Sequence, residues 1–335
     1  MQKGLPDRKS NLSQEGGFVH VPAFDADTSL LEELDKLRVI FKRREKTILG
    51  VYLGVFLLSL FLAEALNPDL SRNFTLSFIL GICCGLIAGF IREGSDSVIK
   101  NRDMLARVLP LPLLGMAPAI GKKAGNYAFQ TANDSDSVVA HAFRSLRNNL
   151  MVVTQQNPPK VINITSTDAS EGKSSTSINL ATAFAQSGKK VLLIDADLRR
   201  PTLHTHFELD NTKGLGHYLA GLNELAPLTR ATPIPGLHVV TSGPLTPHAV
   251  ELLSGSRLNQ LIEQAEKGES GFDLIVIDSP PVLGLADALL IGNRVHATLY
   301  VVACHETRRA PLRAAYERLL QARTNIAGVV MTKVR

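Results

Sequence analysis

Two kinds of apolar pattern occupy different parts of this chain. From Thr47 to Leu66 runs TILGVYLGVFLLSLFLAEAL, broken by one charge, Glu64, and from Phe74 to Ile91 runs FTLSFILGICCGLIAGFI, with none. As helices, both are long enough to cross about 30 Å of hydrocarbon. The pattern predicts a two-helix transmembrane hairpin. The second span carries Gly81, Gly85 and Gly89 at spacing four, and the first carries Gly50 and Gly54. Small residues so spaced let helices approach closely in lipid. They could join the two spans or join neighbouring chains.

Beyond Ser137 the pattern becomes an alternation. VINITS (161–166), VLLIDA (191–196), LHVVTS (237–242), LIVIDS (274–279), TLYVVA (298–303) and AGVVMT (327–332) are short, β-branched runs, with helical stretches at 174–187, 256–267 and 308–322 between some of them. Strands that are apolar on both faces, separated by helices, predict an α/β fold with a parallel sheet covered on both sides. The expected organisation is a polar tail and the start of a juxtamembrane helix (1–37), the hairpin (38–92), a juxtamembrane linker (93–137) and the α/β domain (138–335). Residues 1–28 read as a flexible tail and 29–46 as an amphipathic helix at the membrane surface, while LPLPLLGMAPAI (109–120) reads as a proline-punctuated connector.

Charge sharpens the topology. The chain has a net charge of +5, and Lys36–Lys46 alone carries that excess. Arg92, Lys100, Arg102 and Arg107 follow the second span, while the loop Asn67–Asn73 holds only Asp69 and Arg72. The positive-inside rule then predicts cytoplasmic termini and an outward loop, with the spans in contact with lipid. The remainder is neutral, so no basic face for nucleic acid is expected. The three cysteines, Cys83, Cys84 and Cys304, have neither disulfide-framework nor metal-site spacing. The mean hydropathy of +0.09, high for a soluble enzyme, is accounted for in part by the two spans.

The first predicted strand of the domain runs into TSTDASEGKSS (165–175) and then a helix. Strand, loop, Gly-Lys-Ser, helix is the P-loop arrangement, although Thr167 stands where the first glycine belongs. Ser170, Glu171, Gly172, Lys173, Ser174 and Ser175 form the expected nucleotide-binding loop, in which Lys173 reaches the β/γ-phosphates and Ser174 ligates Mg²⁺. Asp195 and Asp197 end the second strand and Asp278 the fourth run. Parallel strands deliver such residues to one edge, where three carboxylates suit Mg²⁺ and the orientation of an attacking group.

With these residues the chain resembles the bacterial tyrosine kinases, the ATPase partners of capsule and exopolysaccharide export, over about 105–335. The resemblance rests on the Lys173–Ser174 loop, VLLIDADLRRP, FDLIVIDSPP and HVVTSGPLTPHAVELLSGSRL, with LPLPLLGMAP similar to the segment after the second span of chain-length-determinant proteins. It implies ATP·Mg²⁺, phosphoryl transfer to tyrosine between subunits, a ring-like homo-oligomer and a place in the bacterial inner membrane. By the same resemblance Lys173 is the phosphate lysine, Asp195 accepts the proton of the incoming hydroxyl, and Ser174, Asp197 and Asp278 hold magnesium. Arg199 and Arg200 have no assigned role.

Four features depart from that family. Seven residues stand where a large external domain is usual, so a separate export or chain-length protein is the expected partner. No tyrosine cluster precedes the final MTKVR, and among Tyr52, Tyr127, Tyr218, Tyr300 and Tyr316 only Tyr127 is a candidate acceptor. HAFRSLR keeps Arg144 and Arg147 of the oligomerisation helix but has His141 in place of glutamate. Thr332 stands where an asparagine near the base is common. The alternative is an ATPase of the same lineage that serves as an assembly switch without phosphorylating tyrosine. Partitioning ATPases share the architecture but carry an extra lysine where this chain has Asp168.

Overall fold

The structure is a computed structural model that describes residues 45–62, 70–95, 98–119, 127–267, 271–284 and 286–334. The expected flexible tail and nearly all of the amphipathic 29–46 segment lie outside the described residues, as do 67–69 of the expected outward loop, whereas its residues 70–73 begin the second helix. The chain divides into two compact units, Met1–Asp96 and Ser97–Arg335.

The first unit holds helices Glu45–Leu62 and Leu70–Ser95. Glu45–Leu62 is long and apolar enough to cross a membrane, and the apolar part of the other, Phe74–Gly89, is shorter. They pack through aromatic edges, with Tyr52 and Phe78 ring centroids 5.8 Å apart and Phe56 and Phe74 5.4 Å apart. Glycine permits this approach. A Cβ at Gly85 would lie 2.8 Å from the Ile48 carbonyl oxygen, and one at Gly89 would lie 2.7 Å from Ile48 Cγ1. The glycine row of the second helix therefore faces the first, whereas Gly50 and Gly54 meet nothing within 4 Å.

The second unit is built on an eight-stranded sheet: β1 (Leu113–Pro118), β2 (Val161–Ser166), β3 (Val191–Asp195), β4 (Arg230–Ala231), β5 (Leu237–Val240), β6 (Leu274–Asp278), β7 (Ala297–Ala303) and β8 (Ile326–Val334). The spatial order is β1-β8-β7-β2-β6-β3-β5-β4, parallel throughout except for the two-residue edge strand β4. The central strands are apolar on both faces because both are covered. In β7, Leu299 and Val301 join the cluster beneath helices Val138–Val153 and Lys173–Ala185, while Tyr300 and Val302 join the one beneath Arg309–Gln321. A third cluster lies under helix Ser256–Glu266, where Leu258 and Leu261 pack with Leu192 and Ile275.

The six predicted strands coincide with β2, β3, β5, β6, β7 and β8. Residues 109–120 correct the expectation of a connector. They contain β1, which adds to the edge of the sheet beside β8, and helix Arg102–Val108 precedes it. Prolines are tolerated there because an edge strand leaves one side of its backbone unpaired. The Pro112 carbonyl still accepts a 2.9 Å hydrogen bond from Val329 N, and the register shifts twice along the pair.

Candidate nucleotide-binding and phosphoryl-transfer site

Strands β2, β6 and β3 are neighbours, and Asp195 and Asp278 are register partners at their carboxyl ends. The expected convergence at one sheet edge is thus observed. Between the end of β2 and helix Lys173–Ala185, the loop turns at Gly172, whose φ of +91° is left-handed and favours glycine. Thr167 needs no such freedom. Its amide donates to Glu171 Oε2 at 2.7 Å and its hydroxyl pairs with the Tyr300 hydroxyl at 2.8 Å, so the position of the missing first glycine is tied inward.

The cleft above this loop has a volume of about 1510 Å³, and Asp168, Ser170, Lys173, Ser174, Asp197 and His206 are among the residues that line it. Lys173 Nζ lies 2.9 Å from Asp278 Oδ1 and 4.0 Å from Asp197 Oδ2. Burial works against its charge. The neighbouring Asp278 and Asp197 carboxylates outweigh that and hold the ammonium pKa above its usual value. Ser177 Oγ donates to the same Asp278 oxygen at 3.0 Å. Ser174 Oγ accepts from Thr202 Oγ1 at 2.9 Å, and Ser175 lines the cleft.

Three predicted site residues lie outside the cleft lining: Asp278, fully buried behind Lys173, and Glu171 and Asp195, whose side chains are taken up by other partners. Glu171 does not line the cleft. Its side chain is only 3% exposed and its oxygens accept from Thr167 N and Thr307 Oγ1. Desolvation pushes its carboxyl up to about 7, against the lowering effect of those bonds. Asp195 is fully buried. Its Oδ2 accepts from Thr202 N and Leu203 N at 3.0 and 2.9 Å, and its Oδ1 accepts from Asp197 N at 3.2 Å. Burial, then the Asp278 charge, raises its pKa to about 7. Asp197 is the acid of the pair that faces the cleft, its Oδ1 accepting from Arg200 N at 2.9 Å. Burial raises its pKa, partly offset by Lys173.

Three positions have settings that the sequence did not disclose. Arg199 and Arg200 both line the cleft, and Arg199 Nε also donates to the buried Asp287 at 3.0 Å. Thr332 is under the loop, where its hydroxyl donates to the Glu171 carbonyl at 2.6 Å. Thr202, His206 and Lys333 also line the cleft, and no motif marks them.

The donor set fits a nucleotide with Mg²⁺. Asp278 Oδ2 is buried and has no hydrogen-bond partner, beside a lysine and a serine at a helix start. Among the described residues no group of three or more His, Cys, Asp or Glu could hold a metal by itself. That suits magnesium, which is usually held by one or two carboxylates together with phosphate oxygens and water.

The fold and the site thus define a P-loop nucleotide-binding protein. A family described as an AAA domain (AAA_31) matches residues 159–307. Tyrosine-protein kinase YwqD of Bacillus subtilis (strain 168) is 37% identical over 195 residues, covering 58% of this chain and 81% of that protein. Tyrosine-protein kinase ptk of Acinetobacter johnsonii is 32% identical over 254 residues, covering 73% of this chain but only 34% of its own length. The kinase domain of Escherichia coli tyrosine kinase ETK superposes with a TM-score of 0.62 at 30% identity, covering 67% of this chain and 91% of that domain. The chain belongs to the bacterial tyrosine-protein kinases.

Proposed function

We propose that the chain is a membrane-anchored, ATP-dependent protein-tyrosine kinase that regulates capsule or exopolysaccharide assembly. The observation that carries this reading is the buried Lys173–Asp278–Asp197 cluster at the start of the P-loop helix, in a chain of this family. When bound, ATP·Mg²⁺ supplies the transferable γ-phosphoryl group and its counter-charge. Lys173 would exchange Asp278 for phosphate oxygens, and Asp278, Asp197 and Ser174 would hold the metal. Ser170, Gly172 and Ser175 border the phosphate path, with Glu171 acting from behind. Asp195 holds the turn that carries Thr202 and, in the proposed step, would accept the phenolic proton.

The proposed organisation is a tail, a two-pass hairpin with both termini cytoplasmic, and a kinase domain at 138–335 whose sheet is completed by β1 from the preceding segment. Exposed apolar side chains such as Leu57, Phe61 and Ile79 on the helix pair suit lipid. A cysteine introduced in Asn67–Asn73 should react with an impermeant maleimide from outside the cell. Homo-oligomerisation is proposed through helix Val138–Val153, and an export or chain-length protein is the proposed membrane partner.

Incubating the full-length protein with ATP and Mg²⁺ and blotting for phosphotyrosine tests the kinase reading. The second reading is the assembly-switch ATPase. It is favoured by the burial of Tyr218 and Tyr300, which removes two of the chain's five tyrosines as acceptors. ADP release without phosphotyrosine, on the chain or on a co-expressed partner, would select it.

A further inference from the structure

We infer that Thr307 is a positioning residue for the phosphate loop, acting through Glu171. The inference rests on the nucleotide site proposed above and assigns work to two residues outside its cleft lining. Glu171 Oε2 accepts from Thr167 N at 2.7 Å, closing the loop on itself across four residues. Its other oxygen accepts from the Thr307 hydroxyl, and Glu171 and Thr307 are each 3% exposed.

Thr307 is itself fixed on three sides. Its amide donates to the Ala303 carbonyl at 3.0 Å, and its carbonyl accepts from Ile99 N at 2.8 Å. Its hydroxyl oxygen accepts from Ala303 N at 2.9 Å, which leaves the O–H proton to point at Glu171. On the far side of the loop, Thr332 Oγ1 donates to the Glu171 carbonyl and Lys333 Nζ donates to the Ser170 carbonyl at 2.8 Å. Residues from the ends of β7 and β8 therefore hold Ser170 and Glu171 from both sides. Ser170 needs such support, because its φ of +67° is strained for a residue with a Cβ.

A loop shaped before phosphate arrives does not spend binding energy on its own ordering. Without the Thr307 hydroxyl, Glu171 loses a donor where water does not reach, and its carboxyl must leave the loop or remain unpaired. Lys173, Asp197 and Asp278 are untouched by that change. The expected deficit is therefore in nucleotide affinity rather than in turnover.

The test uses full-length protein in detergent micelles, with mant-ADP as the binding probe and ATP steady-state kinetics. Thr307→Val should weaken mant-ADP binding and raise the ATP KM by about tenfold, the scale of one unpaired buried acceptor, while kcat changes by less than about twofold. Thr307→Ser should restore both. Glu171→Asp, one methylene too short to reach Thr167 and Thr307 together, should reproduce the loss and covers the case in which Thr307→Val fails to fold. A lowered Tm with unchanged Kd and KM in the folded variants would overturn the inference, since Thr307 would then be core packing only. Wild-type protein that binds mant-ADP but makes no phosphotyrosine would count against the kinase reading and leave this inference to the binding data.

Discussion

The ammonium of Lys173 lies 2.9 Å from Oδ1 of Asp278, a fully buried carboxylate whose second oxygen has no hydrogen-bond partner. The lysine expected to meet phosphate is the group that neutralises a charge at the end of β6. Lys173→Met should therefore do more than weaken nucleotide binding. Breaking a buried pair from one side leaves an uncompensated charge and costs about 3 kcal/mol or more. Thermal unfolding should show a clear fall in Tm for Lys173→Met, with much of it recovered in Lys173→Met/Asp278→Asn while turnover stays lost. An unchanged Tm in the single variant would mean that Asp278 is not held as described.

Glu171 should make stability depend on pH. Its folded pKa of about 7 is above the ordinary 4.5, because burial disfavours the charged form. A raised carboxyl pKa contributes stability that is complete below the unfolded value and is lost as pH rises to the folded value. The Tm of wild type relative to Glu171→Gln should therefore decline between pH 4.5 and pH 7 and level off above. A difference that is flat with pH would place Glu171 in a less buried setting.

The helix pair gives an internal control. Leucine at Gly85 would drive side-chain atoms into the Ile48 carbonyl, whereas leucine at Gly50 meets open space. Gly85→Leu should lower the thermal stability of the protein in micelles, and Gly50→Leu should not. Equal effects at the two positions would argue against the observed helix face.

The two arginines of helix Val138–Val153 should behave differently. Arg147 donates to the Ala183 carbonyl at 2.8 Å, near the end of the P-loop helix, whereas Arg144 pairs with His141 on an exposed face at 3.1 Å. Arg147→Ala should cost about 1 kcal/mol of stability, a typical net hydrogen bond. Arg144→Ala should leave Tm in place and reduce the oligomer seen by native mass spectrometry. The reverse pattern would move the proposed subunit contact.

Much of this architecture is legible in the sequence because parallel strands buried on both faces read as continuous apolar runs. That is why β2, β3, β5, β6, β7 and β8 stand out. β1 does not, since Pro112 and Pro118 flank or end a strand whose partner, β8, lies more than 200 residues downstream. At the site, Gly-Lys-Ser and three strand-end aspartates are enough to predict the cluster. Which way each carboxylate turns depends on donors from distant segments. Asp195 is taken up by the amides of Thr202 and Leu203, and Glu171 by Thr307, 136 residues away, while Thr332 is drawn beneath the loop by the Glu171 carbonyl. No local pattern encodes these bonds.

The central claim is that this cluster transfers phosphate to tyrosine. The most direct measurement is transfer of label from [γ-³²P]ATP to a poly(Glu,Tyr) copolymer by the full-length protein with Mg²⁺, below the unfolding temperature of each variant. The account predicts phosphotyrosine on the copolymer with wild type and none with Lys173→Met. ADP formation by wild type without labelled tyrosine, or equal labelling by Lys173→Met, would contradict it.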